Sequence, residues 1–250
     1  MSKPIKIGVF IPNGCQTLDL ATVDVLGVMS KEYISVLPMP SHLRDAAPSV
    51  TVYYITAPSI YPDVPLTSNA VLKASHTHRD ADVAPGKLDI VVVPGPDPSS
   101  TYEQEGLEWL RKQAETPGVD ILSVCTGLYV CASAGIVDGK LASGPRGVQS
   151  DLVKKFPKIK LVGDSQRWVQ DGNFWSSGGV TNGNDLMAAY ARASGRWPAS
   201  IVDTGLMLTD VEPRPQFYEI GQSRFFLNAA WMIVRAWFAS FGSAAKQKPA

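Results

Sequence analysis

The sequence of 250 residues has few of the side chains that most often carry chemistry or bind macromolecules. It contains three histidines and three cysteines, and its 23 basic residues balance 23 acidic ones. Balanced charge gives no basic face for nucleic acid and no polybasic patch for an acidic membrane surface. Cys15, Cys125 and Cys131 cannot form a closed disulfide set, and their spacing fits no zinc pattern. We therefore expect reduced thiols, no metal, no cofactor and no nucleic-acid or membrane partner.

The chain also lacks a strongly apolar segment of membrane length. The first residues have no apolar stretch typical of a signal peptide, which favours a cytoplasmic location. The apolar run at 225–238 is shorter than the roughly 20 residues of a membrane span, and Asn228 and Arg235 interrupt it. This run predicts a buried terminal helix or one half of a dimer interface. Residues 244–250 are predicted to form a frayed tail.

Apolar strands and helical segments alternate along the chain. Strands are predicted at 5–11, 51–56, 89–95 and 119–124, and helices at 19–30, 102–115, 128–135 and 185–193. Because each strand is a continuous apolar run, the order indicates a mostly parallel sheet covered on both faces. We expect a single α/β domain over 1–250. The proline-rich segment 38–48 is expected to be a surface insertion or lid, and 58–67 is similar.

Three turns fall at the carboxyl ends of predicted strands, where ligands bind in such sheets. They contain Asn13-Gly14, Gly95-Pro96 and Cys125-Thr126. Cys125 lies between a strand and a helix, where the positive end of the helix dipole favours a thiolate. A small buried apolar residue is the alternative interpretation of this cysteine. Cys131, inside the following helix, is expected to be unreactive.

A cysteine nucleophile needs a proton acceptor within hydrogen-bond reach. His42 lies in the proline-rich insertion, and His76 and His78 are interpreted as solvated surface residues. Asp19 follows the first strand and is the next candidate. It is either an ordinary residue at a helix start or a buried carboxyl group with a raised pKa that shares a proton with Cys125.

Several stretches resemble the ThiJ/PfpI family of the class I glutamine amidotransferase-like superfamily, which includes the Parkinsonism-associated protein deglycase. They are Pro-Gly at 94–95, Val-Cys-Thr-Gly at 124–127 and Ser-Gly-Gly-Val-Thr-Asn-Gly-Asn-Asp-Leu at 177–186. The stretches at 16–20, 125–127 and 210–217 are most similar to its isonitrile hydratase branch. The resemblance covers about residues 5–222. It implies a flavodoxin-like three-layer sandwich with a cysteine nucleophile elbow, usually as a homodimer.

The resemblance also implies a reaction and a set of site residues. In the hydratase branch, the residues that Asp19, Cys125 and Thr126 match are catalytic and convert R–N≡C and water into an N-substituted formamide. The cysteine attacks the isocyanide carbon, and the carboxyl group manages protons. The substrate or oxyanion region would comprise Gly95, Pro96, Gly127, Gly179 and Val180.

The sequence departs from the family pattern at two places. Amidase-like and deglycase-like relatives have a histidine after the elbow helix, whereas this chain has Ala-Ser-Gly-Pro at 142–145. Pro96 replaces the second glycine of the strand-end Pro-Gly-Gly, and proline has no N–H to donate to an oxyanion. The loss of one such donor typically costs ~10²–10³ in acyl-transfer rate. Peptidase, amidotransferase and histidine-dependent glyoxalase activities are therefore disfavoured.

Other interpretations of the site remain open from the sequence. One is a proton-transfer enzyme of small-molecule metabolism, such as an isomerase, epimerase or cyclase. Another is a glyoxalase-like, deglycase-like or redox-stress protein whose Cys125 oxidises. The loop at 178–181 is expected to approach the cysteine, with Thr181 or Asn182 capping the next helix. Trp168 and Trp175 are assigned to the core.

Overall fold

The computed structural model describes residues 3–244, with side chains described as far as residue 238. The strands are β1 (Ile5–Ile11), β2 (Val50–Thr56), β3 (Asp63–Pro65), β4 (Val71–Lys73), β5 (His76–Thr77), β6 (Ile90–Val93), β7 (Asp120–Val124), β8 (Leu141–Ala142), β9 (Lys160–Leu161), β10 (Trp168–Asp171) and β11 (Phe174–Ser177). The α-helices are α1 (Thr17–Ala21), α2 (Asp24–Gly27), α3 (Lys31–Ile34), α4 (Ser41–Ala46), α5 (Gln104–Glu115), α6 (Gly127–Ser133), α7 (Gln149–Lys155), α8 (Asn182–Ala193), α9 (Ala199–Leu208) and α10 (Gln222–Ala244). Two short 3₁₀ helices lie at Ala81–Val83 and Arg146–Val148.

A seven-stranded sheet organises the fold, in the order β10-β11-β7-β6-β1-β2-β5. Its strands are parallel except for β10, which runs antiparallel to β11. β1, β6 and β7 are neighbours in the middle of the sheet, so their carboxyl ends lie side by side along the edge of the sheet where the parallel strands end. This arrangement confirms the mostly parallel sheet predicted from the apolar strands.

Apolar side chains cover both faces of the sheet because successive residues of a strand point to opposite sides. In β6, Ile90 and Val92 pack with one cluster, and Val91 and Val93 pack with the other. The first cluster includes buried residues of α2, α8 and α9, whereas the second includes residues of α5, α6 and α7. The result is three layers, helices on each side of a sheet.

The predicted helix at 19–30 is two short helices, α1 and α2. The Thr22 hydroxyl donates to the carbonyl oxygen of Asp19 at 2.8 Å. Such local bonds from threonine compete with the helical hydrogen-bond ladder, and Val23, the next residue, is also β-branched. The break leaves Asp19 in a five-residue helix directly beside the sheet edge.

The two predicted surface excursions contain regular structure. Residues 41–46 form α4, which follows Pro40, and Leu43 and Ala46 pack against the first cluster. The expected insertion or lid is thus a packed surface helix. The second excursion, 58–67, contains β3, which pairs with β4, and Val64 of β3 is fully buried.

His78 is not a solvated surface residue, and that interpretation was wrong. β5 pairs with the edge of β2, and the His78 N–H donates to the Thr56 carbonyl oxygen at 3.2 Å. This pairing places the His78 ring edge-on to Phe10, where the histidine is only 4% exposed. His76, in the strand itself, is half-buried.

The terminal apolar run is helical but is not buried against its own chain. It forms most of α10, and its large apolar side chains are 38–71% exposed. For the described residues this contradicts the first of the two alternatives, a buried terminal helix, while the second, one half of a dimer interface, stays a prediction. Within residues 3–244, none of the helices has the length and apolar character needed to cross a membrane. The predicted frayed tail lies, from residue 245 on, outside the described residues.

Candidate active site

Cys125 occupies the turn between β7 and α6. Its backbone φ is +56°, which a residue with a side chain rarely adopts. The strand ends at Val124 and the helix begins at Gly127, so only two residues make the turn. Gly127 is required here because a Cβ atom at this position would collide with the carbonyl oxygen of Val93. Strained backbone of this kind is frequent at functional sites.

Asp19 lies beside this turn and is completely buried. Its Oδ2 accepts a hydrogen bond from the Gly95 N–H at 3.2 Å, and the Cys125 thiol is a further hydrogen-bond partner of the carboxyl group. The segment carrying Asp19 is tied to the same strand end, since the Gln16 N–H donates to the Gly95 carbonyl oxygen at 2.8 Å. Oδ1 is buried and has no hydrogen-bond partner among the described residues.

Burial raises the pKa of Asp19 to about 7, although hydrogen bonds from Cys125 and Gly95 act in the opposite direction. The pKa of Cys125 is raised as well, mainly by burial and to a smaller extent by the neighbouring charge of Asp19. The backbone N–H groups of Val180 and Thr126 lower that pKa by a smaller amount. The pKa of this thiol is thus raised, in the direction opposite to the one that the helix dipole alone predicts. A seven-residue helix does not compensate for the desolvation of the sulfur, so the pair holds a proton at neutral pH.

Thr126 joins the cysteine turn to the end of β6. Its hydroxyl donates to the Pro96 carbonyl oxygen at 2.7 Å, while its backbone N–H points to the Cys125 sulfur. Gly95 fits between the two side chains: a Cβ atom there would lie 2.5 Å from Asp19 Oδ2 and would also collide with Thr126 Oγ1. Asp19, Gly95, Pro96, Cys125 and Thr126 thus meet at one point, as the convergence of strand ends predicts.

The loop 178–181 brings its backbone to the cysteine, as expected, through the Val180 N–H. The predicted capping of α8 was wrong, because neither Thr181 nor Asn182 makes a side-chain cap. The Asn182 amide instead donates to the Tyr218 hydroxyl at 2.6 Å. Gly179 lies in open surroundings, with no atom within 4 Å of where its Cβ would be.

Arg214 holds this loop in place and had no assigned role from the sequence. Its guanidinium binds both oxygens of Asp185 at 2.9 and 2.6 Å and the Thr181 carbonyl oxygen at 2.9 Å. Bidentate pairs of this kind fix geometry as well as add energy. The only hint in the sequence was its position in the stretch 210–217. Nothing local to that stretch indicates that it reaches α8.

A cavity of about 240 Å³ begins next to the site. Its wall includes Val180, whose backbone touches the cysteine, and Leu18, which precedes Asp19. The rest of the wall combines the apolar Ala21, Val25 and Val211 with the polar Asp24, Thr181, Asn184 and Thr209. A group of modest size therefore fits in this cavity, next to residues that adjoin Asp19 and Cys125.

The other two cysteines differ from Cys125 in their surroundings. Cys131 is completely buried within α6, and Cys15, in the loop after β1, is only 4% exposed. Burial raises the pKa of both thiols to about 12. Among the described residues, no group of three or more His, Cys, Asp or Glu side chains is arranged to hold a metal ion.

A model described as the DJ-1/PfpI family matches residues 50–193, more than half of the sequence. The chain belongs to this family. The match includes Gly95, Pro96, Cys125, Thr126 and Val180, whereas Asp19 precedes it. Membership confirms the resemblance seen in the sequence motifs.

Isonitrile hydratase of Pseudomonas putida is 32% identical over 133 residues, which are 52% of this chain and 54% of that protein. The chain therefore matches about half the length of this relative.

Two solved structures share the fold. A ThiJ/PfpI family protein from Pseudomonas syringae has a TM-score of 0.67 at 17% identity, covering 96% of this chain and 89% of that one. DJ-1beta of Drosophila melanogaster has a TM-score of 0.63 at 20% identity, and the match covers 85% of this chain and 100% of that one. The fold is the flavodoxin-like sandwich that was expected.

Proposed function

We propose that the protein is a cysteine-dependent enzyme that adds water to an isocyanide and releases an N-substituted formamide. The observation that carries this proposal is the buried hydrogen-bonded pair of the Asp19 carboxyl and the Cys125 thiol. The local identity with isonitrile hydratase supports the same chemistry. In this role Cys125 is the nucleophile, and Asp19 is the proton donor and acceptor.

The first half of the reaction needs a thiol and a proton carrier. The Cys125 sulfur attacks the terminal carbon of R–N≡C while its proton passes to Asp19. Asp19 returns a proton to that carbon, which gives the thioimidate S–CH=N–R. Because the thiol is protonated at rest, a carboxyl group with a pKa near 7 is suited to remove its proton as the S–C bond forms.

Water completes the reaction. Asp19 accepts a proton from a water molecule that attacks the thioimidate carbon and passes this proton to the nitrogen. The C–S bond then breaks as the new C–OH group becomes a carbonyl, the hydroxyl proton goes to the sulfur, and R–NH–CHO leaves. The sum is one isocyanide and one water consumed for one formamide. The backbone N–H groups of Val180 and Thr126 stabilise the sulfur while it carries negative charge.

Pro96 is compatible with this reaction. An amidase passes through a tetrahedral oxyanion on a carbonyl carbon, which needs N–H donors at the strand end. The first adduct of an isocyanide carries no carbonyl oxygen, so the missing Pro96 N–H costs it less. The Pro96 carbonyl instead accepts the Thr126 hydroxyl and fixes the cysteine turn. Thr126 is thus proposed to position the site through its hydroxyl and to contact sulfur through its N–H.

The R group is proposed to occupy the cavity of about 240 Å³ lined by Leu18, Val25 and Val180. Its five apolar lining residues, Leu18, Ala21, Val25, Val180 and Val211, favour an alkyl or alicyclic group over a charged one. Asp24 also lines the cavity and disfavours anionic substituents.

A panel of alkyl, alicyclic and carboxylate-bearing isocyanides tests the proposal, with formamide production followed by NMR. We expect turnover of the neutral members, no turnover by Cys125→Ala, and near wild-type turnover by the matched control Cys131→Ala. Retained turnover in Cys125→Ala, or no formamide from any neutral isocyanide with the wild type, would contradict the proposal.

A second function is favoured by the protonated resting state of the thiol. Asp19 and Cys125 could move a proton between two positions of a small metabolite without forming a covalent bond, as in an isomerase, epimerase or cyclase. This alternative predicts solvent deuterium incorporation into an unconsumed substrate and no adduct on Cys125. Mass spectrometry of the protein therefore separates the two functions.

A further inference from the structure

Helix α10 carries nine exposed large apolar side chains in the described part of the chain. Its first turn is anchored, because the Arg146 guanidinium lies 5.1 Å from the centre of the Phe225 ring. Beyond this contact its large side chains are exposed: Trp231 is 61% exposed, Ile233 71% and Trp237 58%. A soluble helix that is apolar on most sides is normally buried against another element.

The polar residues of α10 form one narrow stripe. Between residues 224 and 238 they are Arg224, Asn228 and Arg235, which lie within about 40° of one another at 100° per residue. Directly opposite lies a seam of Phe226, Ala230, Ile233 and Trp237, which we call the α10 seam. Its spacing of four, three and four residues is that of a helix-pairing seam, with a small residue among large ones.

The exposed area is large enough for a stable interface. Nine large side chains between 225 and 238 are each 38–71% exposed, and together they present roughly 1,000 Å² of apolar surface. A standard protein–protein interface buries about 800 Å² from each partner. Phe217 and Ile220, in the segment just before the helix, are 59% and 42% exposed and extend the same kind of surface.

We propose that α10 is the dimerisation element of this protein and that its occupant is α10 of a second copy of the chain. In a two-fold dimer the same surface appears on both subunits, so the two α10 seams face each other. The polar stripes of the two helices then point away from the contact, which keeps their arginine side chains apart and in solvent. The apolar side chains that flank each seam pack on the partner's segment before α10.

A second copy is favoured over a membrane surface because the polar stripe of α10 is narrow. A helix that lies on a membrane has a broad charged face towards water. Here about three quarters of the circumference is apolar, so covering it needs contacts on more than one side. A partner helix with its adjoining surface supplies them. This inference is independent of the reaction proposed for Cys125.

The oligomeric state of the full chain, measured by light scattering over a range of concentrations, tests the proposal. We expect a mass twice the 26.9 kDa of the chain. Ile233→Glu should raise the dimer dissociation constant at least ~30-fold, as loss of a central contact does. Ile233→Leu should leave it unchanged. Val36→Glu is the matched control, because Val36 is 78% exposed and lies outside α10. Circular dichroism checks that each variant is folded.

Cross-linking covers the case in which Ile233→Glu fails to fold. A photoreactive amino acid at Ala230, in a mixture of ¹⁵N-labelled and unlabelled chains, should join peptides of 222–238 from two copies. A monomer at all concentrations, a dimer that Ile233→Glu does not weaken, or cross-links only within one copy would overturn the proposal. So would a monomer that co-sediments with phosphatidylserine vesicles through α10.

Discussion

At the scale of single residues, the site depends on the buried carboxyl group of Asp19, which has no cationic partner among the side chains of residues 3–238. Desolvation disfavours its charged form, and the neighbouring thiol offers a place for the shared proton. The sequence allowed this pairing to be predicted because Asp19 and Cys125 follow strand ends that meet at one edge of the sheet. The protonation state of the cysteine could not be predicted, since it depends on how completely distant segments cover the sulfur.

Removing the acid of Asp19 should abolish most of the proposed turnover. Asp19→Asn keeps the size of the side chain and its acceptor for the Gly95 N–H but cannot exchange a proton. General acid–base catalysis is typically worth ~10²–10⁴ in rate, and we expect a loss in that range. The pH–rate profile should lose its limb near pH 7. Near wild-type turnover in Asp19→Asn would refute the proton-sharing pair.

The same substitution should change how stability depends on pH. The pKa of Asp19 rises from 3.8 to about 7 on folding, so the folded protein binds the Asp19 proton more tightly than the unfolded chain does. The contribution of this proton to the free energy of unfolding is complete below pH 3.8 and is lost as pH rises towards 7. The asparagine side chain of the variant stays neutral and avoids this loss. We expect Asp19→Asn to gain stability relative to the wild type between pH 4 and pH 8, by up to roughly 4 kcal/mol. Urea unfolding at several pH values measures the difference, with exposed Asp82→Asn as control. A difference that is constant with pH would argue against a raised pKa.

Reactivity should separate the three thiols. Cys131 is completely buried, and burial raises its pKa to about 12, whereas Cys125 receives two backbone N–H groups that stabilise a thiolate. We expect iodoacetamide to modify Cys125 first in the native protein, slowly because its pKa is raised, and faster as pH increases. Peptide mapping after partial labelling gives the order. Earlier labelling of Cys131 would mean that the sulfur beside Asp19 is not the accessible one.

At the scale of elements, the apolar strands and their order could be predicted, but several contacts between segments could not. Both faces of the sheet are covered, so continuous apolar runs identify the strands. His78 looked solvent-exposed because its neighbours in sequence are polar, yet pairing of β5 with β2 buries it. Arg214 acts on α8 across 29 residues, and no local pattern reveals such a contact.

The junction of α1, β6 and α6 should not tolerate a side chain at Gly95. A Cβ atom there would lie 2.5 Å from Asp19 Oδ2, so Gly95→Ala must displace the carboxyl group. Small displacements of reacting groups can cost ~10² in rate, and overpacking typically costs about 1–3 kcal/mol of stability. Gly147→Ala is the matched control, since no atom lies within 4 Å of its Cβ position. Equal activity and melting temperature in the two variants would show that Gly95 does not shape the site.

At the scale of the whole molecule, the sheet edge brings Asp19 and Cys125 together, and α10 carries the surface proposed for a second copy. The family and the three-layer fold could be predicted from short motifs, because the cysteine turn and the Gly-Gly-Val-Thr loop each impose a particular backbone. The sequence left open whether α10 packs on its own chain or on another, because an apolar helix has the same sequence pattern in both cases.

The most direct test of the proposed chemistry is the mass of the protein during its first turnover. Wild-type protein mixed with excess isocyanide and quenched by acid at successive times should gain the mass of one isocyanide molecule. Digestion should place that mass on the peptide that contains Cys125, and the adduct should form and decay as formamide appears. Formamide released in the first turnover with no adduct on Cys125 at any time, and undiminished production by Cys125→Ala, would contradict hydration through a thioimidate.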